Sequence, residues 1–248
     1  MAATPARHVV ILAPMPHEMD AIVAAFGLRP TNDTEGSSYT GRVGGSEVSA
    51  LHIGMGPALT RAALGRVFAE AEATGTPVDH VMNAGICGGR GPDLPVGAVI
   101  NPEIIVHHQS GASYRHSPPG DAPRAGRLIT TETIILDPDL SRKFLADGCV
   151  AVDMESAAVA EVCEARGCPW SVYRCIGDRW FDGLLDRHRN HRRLPGSGRG
   201  KIGLVHKHHL DFRDVGEARH AVAGRGRHPS PQPPGGHWRL RIYIGYDR

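Results

Sequence analysis

Asp153 and Glu155 flank Met154 in the stretch AVDMESAAVA, directly before a run of small apolar residues. Glu18 stands in MPHEMD, and YRCIGD carries Arg174 and then Asp178. Carboxylic acids held in a site serve as proton donors and bases, and two of them can divide those tasks. Each also has a plainer reading. Asp is a good helix N-cap, and acids favour the positive end of a helix dipole. Glu18 is then a solvated first-turn acid, and Asp178 a turn residue after a strand. Arg174 is harder to set aside, because an arginine on an apolar strand needs a partner once it is buried. The glycines of GICGGRG, Gly85 first among them, let backbone approach a ligand closely. That stretch lacks the Lys-Ser/Thr of a P-loop.

The elements that must position these groups follow from the apolar pattern. HVVILA (8–13) is a strand, and PHEMDAIVAAFGL has the spacing of a helix through Met19, Ile22, Val23 and Phe26. Residues 38–54 read as a hairpin turned at Gly44-Gly45. A helix over 56–75 has Pro57 near its start and Gly75 beyond its end. VDHVMNAGICGG is a strand running into a glycine loop, residues 96–108 a strand pair, and GRLITTETIIL (126–136) a β-branched strand. VAVDMESAAVAEVCEARG is a short strand and then a helix closed by Gly167; PWSVYRCIGD is a last strand. The alternation predicts an α/β fold with a mostly parallel core sheet. Ligands of such sheets bind beyond the strands' carboxyl ends. Glu18, Asn83, Glu155 and Asp178 all fall just past such ends, so one carboxylate-lined pocket is expected.

In this order, APMPHEMDAI, NAGICGG, VDMESAAVA and YRCIGD resemble the nucleoside phosphorylase and nucleosidase superfamily. The nearest branch in appearance is methylthioadenosine/S-adenosylhomocysteine nucleosidase. The resemblance covers residues 7–183 and implies a three-layer α/β sandwich around a mixed, partly barrel-like sheet. It implies cleavage of a nucleoside's N-glycosidic bond, a reaction that builds positive charge on the ribose and negative charge on the departing base. Such a site needs an acid near the purine, a base near the attacking water, and grips on the sugar. By resemblance, Asp178 protonates the base, Glu18 activates water, Met154 and Glu155 hold the ribose, and Arg174 positions water and Glu155. Asp153 then only caps the helix. Phosphorylases of the superfamily bind phosphate with an Arg and a Ser where this chain has Asn83 and Ile86, which favours water as nucleophile. Gly177 precedes Asp178 in place of the family's Ser. Ile135 stands where the nucleosidases stack an aromatic on the base. No metal or other cofactor is implied. The expected partners are a small-molecule nucleoside and further copies of the chain, as a homodimer or larger assembly that completes the pocket.

Composition bounds the rest. The chain has 248 residues, 41% hydrophobic and 22% charged, as in ordinary soluble proteins. No apolar run approaches the roughly 20 residues of a membrane helix, and VVILA is too short for a secretory signal. Five cysteines without a CxxC suggest neither a disulfide framework nor a zinc site, so a cytoplasmic setting is expected. The net charge of +2 hides a division: residues 1–183 hold 14 basic and 21 acidic residues, residues 184–248 hold 14 and 5. Eight of the 15 histidines lie in that last segment, whose pattern loses its period. Three readings of this irregular, basic tail stay open. It is a natural tail that touches nucleic acid or acidic surfaces, a metal site at HKHH (206–209), or sequence out of frame beyond residue 184. The rival function class is a nucleoside- or nucleic-acid-binding protein without turnover, and the rival reaction is phosphorolysis.

Overall fold

The structure is a computed structural model that describes residues 8–31, 37–90, 94–116 and 126–179. In chain order the elements are β1 (His8–Ala13), α1 (Pro16–Phe26), β2 (Arg29–Pro30), β3 (Ser38–Val43), β4 (Ser46–His52) and α2 (Pro57–Thr74). There follow β5 (His80–Gly89), β6 (Val99–Ile100), β7 (Ile104–His107), β8 (Ser113–Tyr114) and β9 (Arg127–Thr130). The last are α3 (Pro138–Ala146), β10 (Cys149–Asp153), α4 (Ser156–Ala165) and β11 (Trp170–Arg179).

Strand alternation builds the layers. On β1, Val9, Ile11 and Ala13 pack with Met19 and Ile22 of α1, while Val10 and Leu12 pack with Leu64 and Phe68 of α2 and Ala157 and Ala160 of α4. Helices therefore cover both faces of the sheet, the sandwich that the motifs implied. Among the described residues no helix is long and apolar enough to cross a membrane.

The sheet is mixed rather than mostly parallel. The strands run in the order β2-β3-β4-β1-β5-β10-β9-β7-β8, with β11 beside β5 and β6 beside β11. One parallel block holds β4, β1, β5 and β11; a second holds β10, β9 and β7. They join antiparallel where Ala151 and Val152 meet Gly89 and Gly88. The join has a consequence for β5. Its flank away from β11 pairs with β1 only over His80–Asn83, and with β10 only at Gly88 and Gly89. Between these two pairings, at residues 84–87, the sheet divides. Such a change of neighbour is where α/β sheets leave room for a ligand.

Several expectations are corrected in detail. The GICGG stretch is not a loop: it continues as strand through Gly89 because β11 runs alongside it from Val81 to Gly89. The pair expected over 96–108 is two strands with different neighbours, β6 on β11 and β7 on β9 and β8. The strand expected over 126–136 stops at Thr130, where the chain folds back as Thr131 donates its amide to Asp153 O and its hydroxyl to Thr133 O. Helix α3 was not foreseen, although Asp137 caps it through Asp139 N and Pro138 opens it. The hairpin at Gly44-Gly45 is present, both glycines at positive φ (51° and 92°), as its tight turn requires. The readings of residues 184–248 lie outside the described residues.

Candidate active site

The divided edge of β5 is occupied by Glu18. This residue sits in the first turn of α1, where Oε2 accepts from the amide of Met15 at 2.7 Å. Its Oε1 accepts from the amide of Ile86 at 2.6 Å, an amide on the stretch of β5 that faces neither β1 nor β10. Glu18 is fully buried. It is therefore both a helix-capping acid and a member of the cluster, and the two readings of it coincide. Burial pushes its pKa up from the ordinary carboxylate value, against the pull of Arg174 and two backbone amides.

Arg174, also fully buried, comes from β11, which runs beside β5 with Arg174 opposite Gly85. Nε and Nη2 donate to Asp153 Oδ2 at 3.0 and 2.7 Å, and Nη2 also donates to Glu155 Oε2 at 2.9 Å. Nη1 is buried without a partner. A side-chain carbon on Gly85 would stand 2.7 Å from that Nη1 and 2.5 Å from Glu18 Oε1. The guanidinium and the carboxylate thus border the same space, which a side chain at Gly85 would fill. Three acids surround one cation. The guanidinium stays charged, its pKa raised by them against the cost of burial. They cannot all ionise without leaving excess negative charge in a buried site, and Glu155 is driven up to about 7, chiefly by burial, with Asp153 and Glu18 adding to it.

Glu155 completes its shell with the amide of Gly56, which donates to Oε1 at 2.8 Å from the start of α2. Gly56 has φ 101°, a conformation other residues rarely adopt, and half-buried Met154 reaches over it with Cε 3.8 Å from where a side chain would begin. Asp153 is more than a cap. It accepts from Ser156 N (3.1 Å), Ser156 Oγ (2.5 Å) and Thr130 Oγ1 (2.7 Å) as well as from Arg174. Asn83 is fully buried and donates to Ser156 Oγ at 3.0 Å, so it braces α4 rather than facing a ligand.

Of the residues singled out in the sequence, Glu18, Arg174, Glu155, Gly85 and the backbone of Ile86 meet in one cluster, with Met154 at its rim. Asp178 lies farther along β11, exposed, opposite Gly88 rather than Gly85. A side-chain carbon on Gly88 would be 3.4 Å from its Oδ1. Ile135 lies between β9 and α3, half-buried against Ile129, Phe144, Cys149 and Val152. The reading of the motifs missed Asp153 as the chief partner of Arg174, and it missed the Gly56 amide. The first had a signal, since a buried arginine demands an acid and Asp153 was as near in sequence as Glu155. The second had none, because backbone amides carry no residue type. Among the described residues, no group of three His, Cys, Asp or Glu is placed to hold a metal.

The chain matches the phosphorylase superfamily over residues 8–147 and 121–192. It is 28% identical over 207 residues to the 5'-methylthioadenosine/S-adenosylhomocysteine nucleosidase of Chromohalobacter salexigens, covering 69% of this chain and 84% of that one. To the enzyme of the same name from Anoxybacillus flavithermus it is 29% identical over 175 residues, 57% of this chain and 72% of the other. Among solved structures it is similar to the S-adenosylhomocysteine nucleosidase of Streptococcus pyogenes in complex with 5-methylthiotubericidin. There the TM-score is 0.61 at 19% identity, over 75% of this chain and 91% of that one. It is also similar to the futalosine hydrolase of Helicobacter pylori, with a TM-score of 0.59 at 19% identity over 73% and 91%.

Proposed function

The chain belongs to the phosphorylase superfamily, and from that premise we propose that it hydrolyses the N-glycosidic bond of a purine-type nucleoside to free base and a ribose product. The observation that carries this reading is the buried Arg174 Nη1, unpartnered beside Glu18 at the side-chain-free Gly85. A donor and a base aimed at one small space are what a bound water needs in order to become a nucleophile. Glu18, its pKa raised by burial, takes the proton of that water. Glu155, oriented by Arg174 and the Gly56 amide, holds the ribose hydroxyls, and Met154 packs against the sugar. Asp178 supplies the proton to the departing base, and Ile135 belongs to the wall of the base subsite.

Water is favoured over phosphate by what stands at the two anchor positions. Asn83 is buried and engaged with Ser156, and Ile86 offers no hydroxyl. The names of the relatives support an adenosine-type substrate with a 5' substituent. An assay of free base released from such nucleosides, with and without phosphate, tests the reading. Release without phosphate is expected; absence of release under both conditions favours a binding protein instead.

The same reading includes a cytoplasmic enzyme, supported by five free, buried cysteines, and an assembly of two or more chains. Residues 7–183 form its catalytic domain. For residues 184–248 the change of composition supports a reading-frame error, which the coding DNA tests directly. An amphipathic helix encoded in another frame is the expected result.

A further inference from the structure

Arg90, the residue after β5, is a buried cation that none of the roles above uses. It is 5% exposed. Its amide donates to Val150 O at 2.9 Å and its Nη1 to Gly89 O at 3.2 Å, while Nε is buried with no partner. A buried guanidinium without a carboxylate near it is strongly disfavoured. The charged and titratable groups that face it are Cys87 on β5, Cys149 on β10 and Asp178 on β11. Burial pushes both thiols up, Cys149 to about 11, so neither is an anion near neutrality. That leaves Asp178 as the counter-charge among them.

The glycines say how the two meet. A side-chain carbon on Gly88 would lie 3.1 Å from Arg90 Nη1, 3.7 Å from Nη2 and 3.4 Å from Asp178 Oδ1. Guanidinium and carboxylate thus border the same side-chain-free patch of β5. The residue before Asp178 is Gly177, where a side-chain carbon would come within 3.1 Å of Ile86 Cδ1 and 3.3 Å of its Cβ. No neighbouring hydroxyl can orient Asp178 from that position.

We propose that Arg90 is a positioning residue for Asp178: across Gly88 it fixes the direction of the carboxyl and sets the pH range over which that carboxyl holds its proton. The catalytic consequence rests on the reading of Asp178 as proton donor; the electrostatic link between the two residues does not. The glycine at 88 is then required for the link.

The test is a carbon-13 titration of the Asp178 carboxyl in the full chain, with the signal assigned by its loss in Asp178→Asn. Arg90→Met and Arg90→Gln should each move the midpoint upward by about one pH unit or more, the usual scale for removing a cation within 4–6 Å of a carboxylate. Arg90→Lys, which keeps the charge, should stay closer to the wild type. The high-pH limb of kcat should move upward with the midpoint, which a purely structural role of Arg90 would not cause. Should Arg90→Met fail to fold, the isosterically closer Arg90→Gln carries the same comparison. An unmoved midpoint in a folded neutral variant overturns the inference. Asp178→Asn separates the two claims. If it keeps normal base release while the midpoint still moves, the proton-donor reading falls and the link stands. If it is inactive while the midpoint stays, the reverse holds.

Discussion

At the residue scale one guanidinium among three acids governs the candidate site. Asp153 and Glu155 both bond Arg174, but they differ in what else they do. Asp153 ties β9, α4 and β11 together, whereas the Glu155 carboxylate, also buried, otherwise accepts from the Gly56 amide. Glu155→Gln should therefore leave a folded protein with base release reduced by about 10²-fold, since the interaction it loses strengthens as charge develops on the sugar. Asp153→Asn should cost on the order of 3 kcal/mol in stability, the scale for breaking a buried ion pair, and activity with it. Denaturant melts and turnover of the two variants check this; an active, stable Asp153→Asn would return that residue to a simple cap. The pH dependence follows from Glu155. Its folded pKa of about 7 lies above the ordinary 4.5, so the folded state holds a proton that the unfolded state has lost. Stability contributed by this site is then present at low pH and declines as pH rises from about 4.5 to 7. The ionised form is the one that grips the hydroxyls, so the low-pH limb of kcat/KM should rise across the same window and end near 7. A limb ending near 5 in a pH-rate profile would contradict it. Much of this site was legible, because acid and arginine types at strand ends narrow the chemistry. The hub role of Asp153 was not, because Asp153 and Glu155 look alike on paper and only the register of β11 against β5 and the placing of α4 tell them apart.

At the element scale, β5 does the positioning. Its glycines are not turn residues; they are places where other side chains enter. Gly85→Ala should push a methyl into Glu18 Oε1 and Arg174 Nη1, at 2.5 and 2.7 Å. Base release should fall by about 10²-fold, the lower scale of general acid–base catalysis, with about 1–3 kcal/mol of stability lost to overpacking. Gly65→Ala in α2, where nothing lies within 4 Å, is the control and should be neutral or stabilising by about 0.5–1 kcal/mol. Equal behaviour of the two variants in melts and assays would remove Gly85 from the site. The sequence reading placed every helix against the sheet except α3, and it took the glycine run for a loop. Glycine lowers strand propensity, and only the long pairing with β11 holds those residues extended. The run ITTETIIL looked like strand by its β-branched residues, yet Thr131 and Thr133 close a turn there. Local propensity yields where a side chain offers the backbone a nearer partner.

At the scale of the whole molecule, the two parallel blocks and their antiparallel join create the site, so no single motif contains it. Large apolar side chains are also left at the surface, Met55 and Leu59 at the start of α2 and Ile134 and Leu136 beside Ile135. Exposed apolar side chains of this size suit a partner copy that covers them. Light scattering should accordingly give a native mass of at least two 26.6 kDa chains, and a monomer with full activity would sink the assembly. The central claim is that water, activated at Glu18 and Arg174, attacks the sugar. Turnover of an adenosine-type nucleoside in oxygen-18 water, with phosphate present, tests it most directly by the mass of the sugar product. The account predicts free ribose product, unphosphorylated at C1, in which trapping at the moment of release finds one heavy oxygen at that carbon. Ribose 1-phosphate formed only when phosphate is supplied, with no label from water, would contradict it.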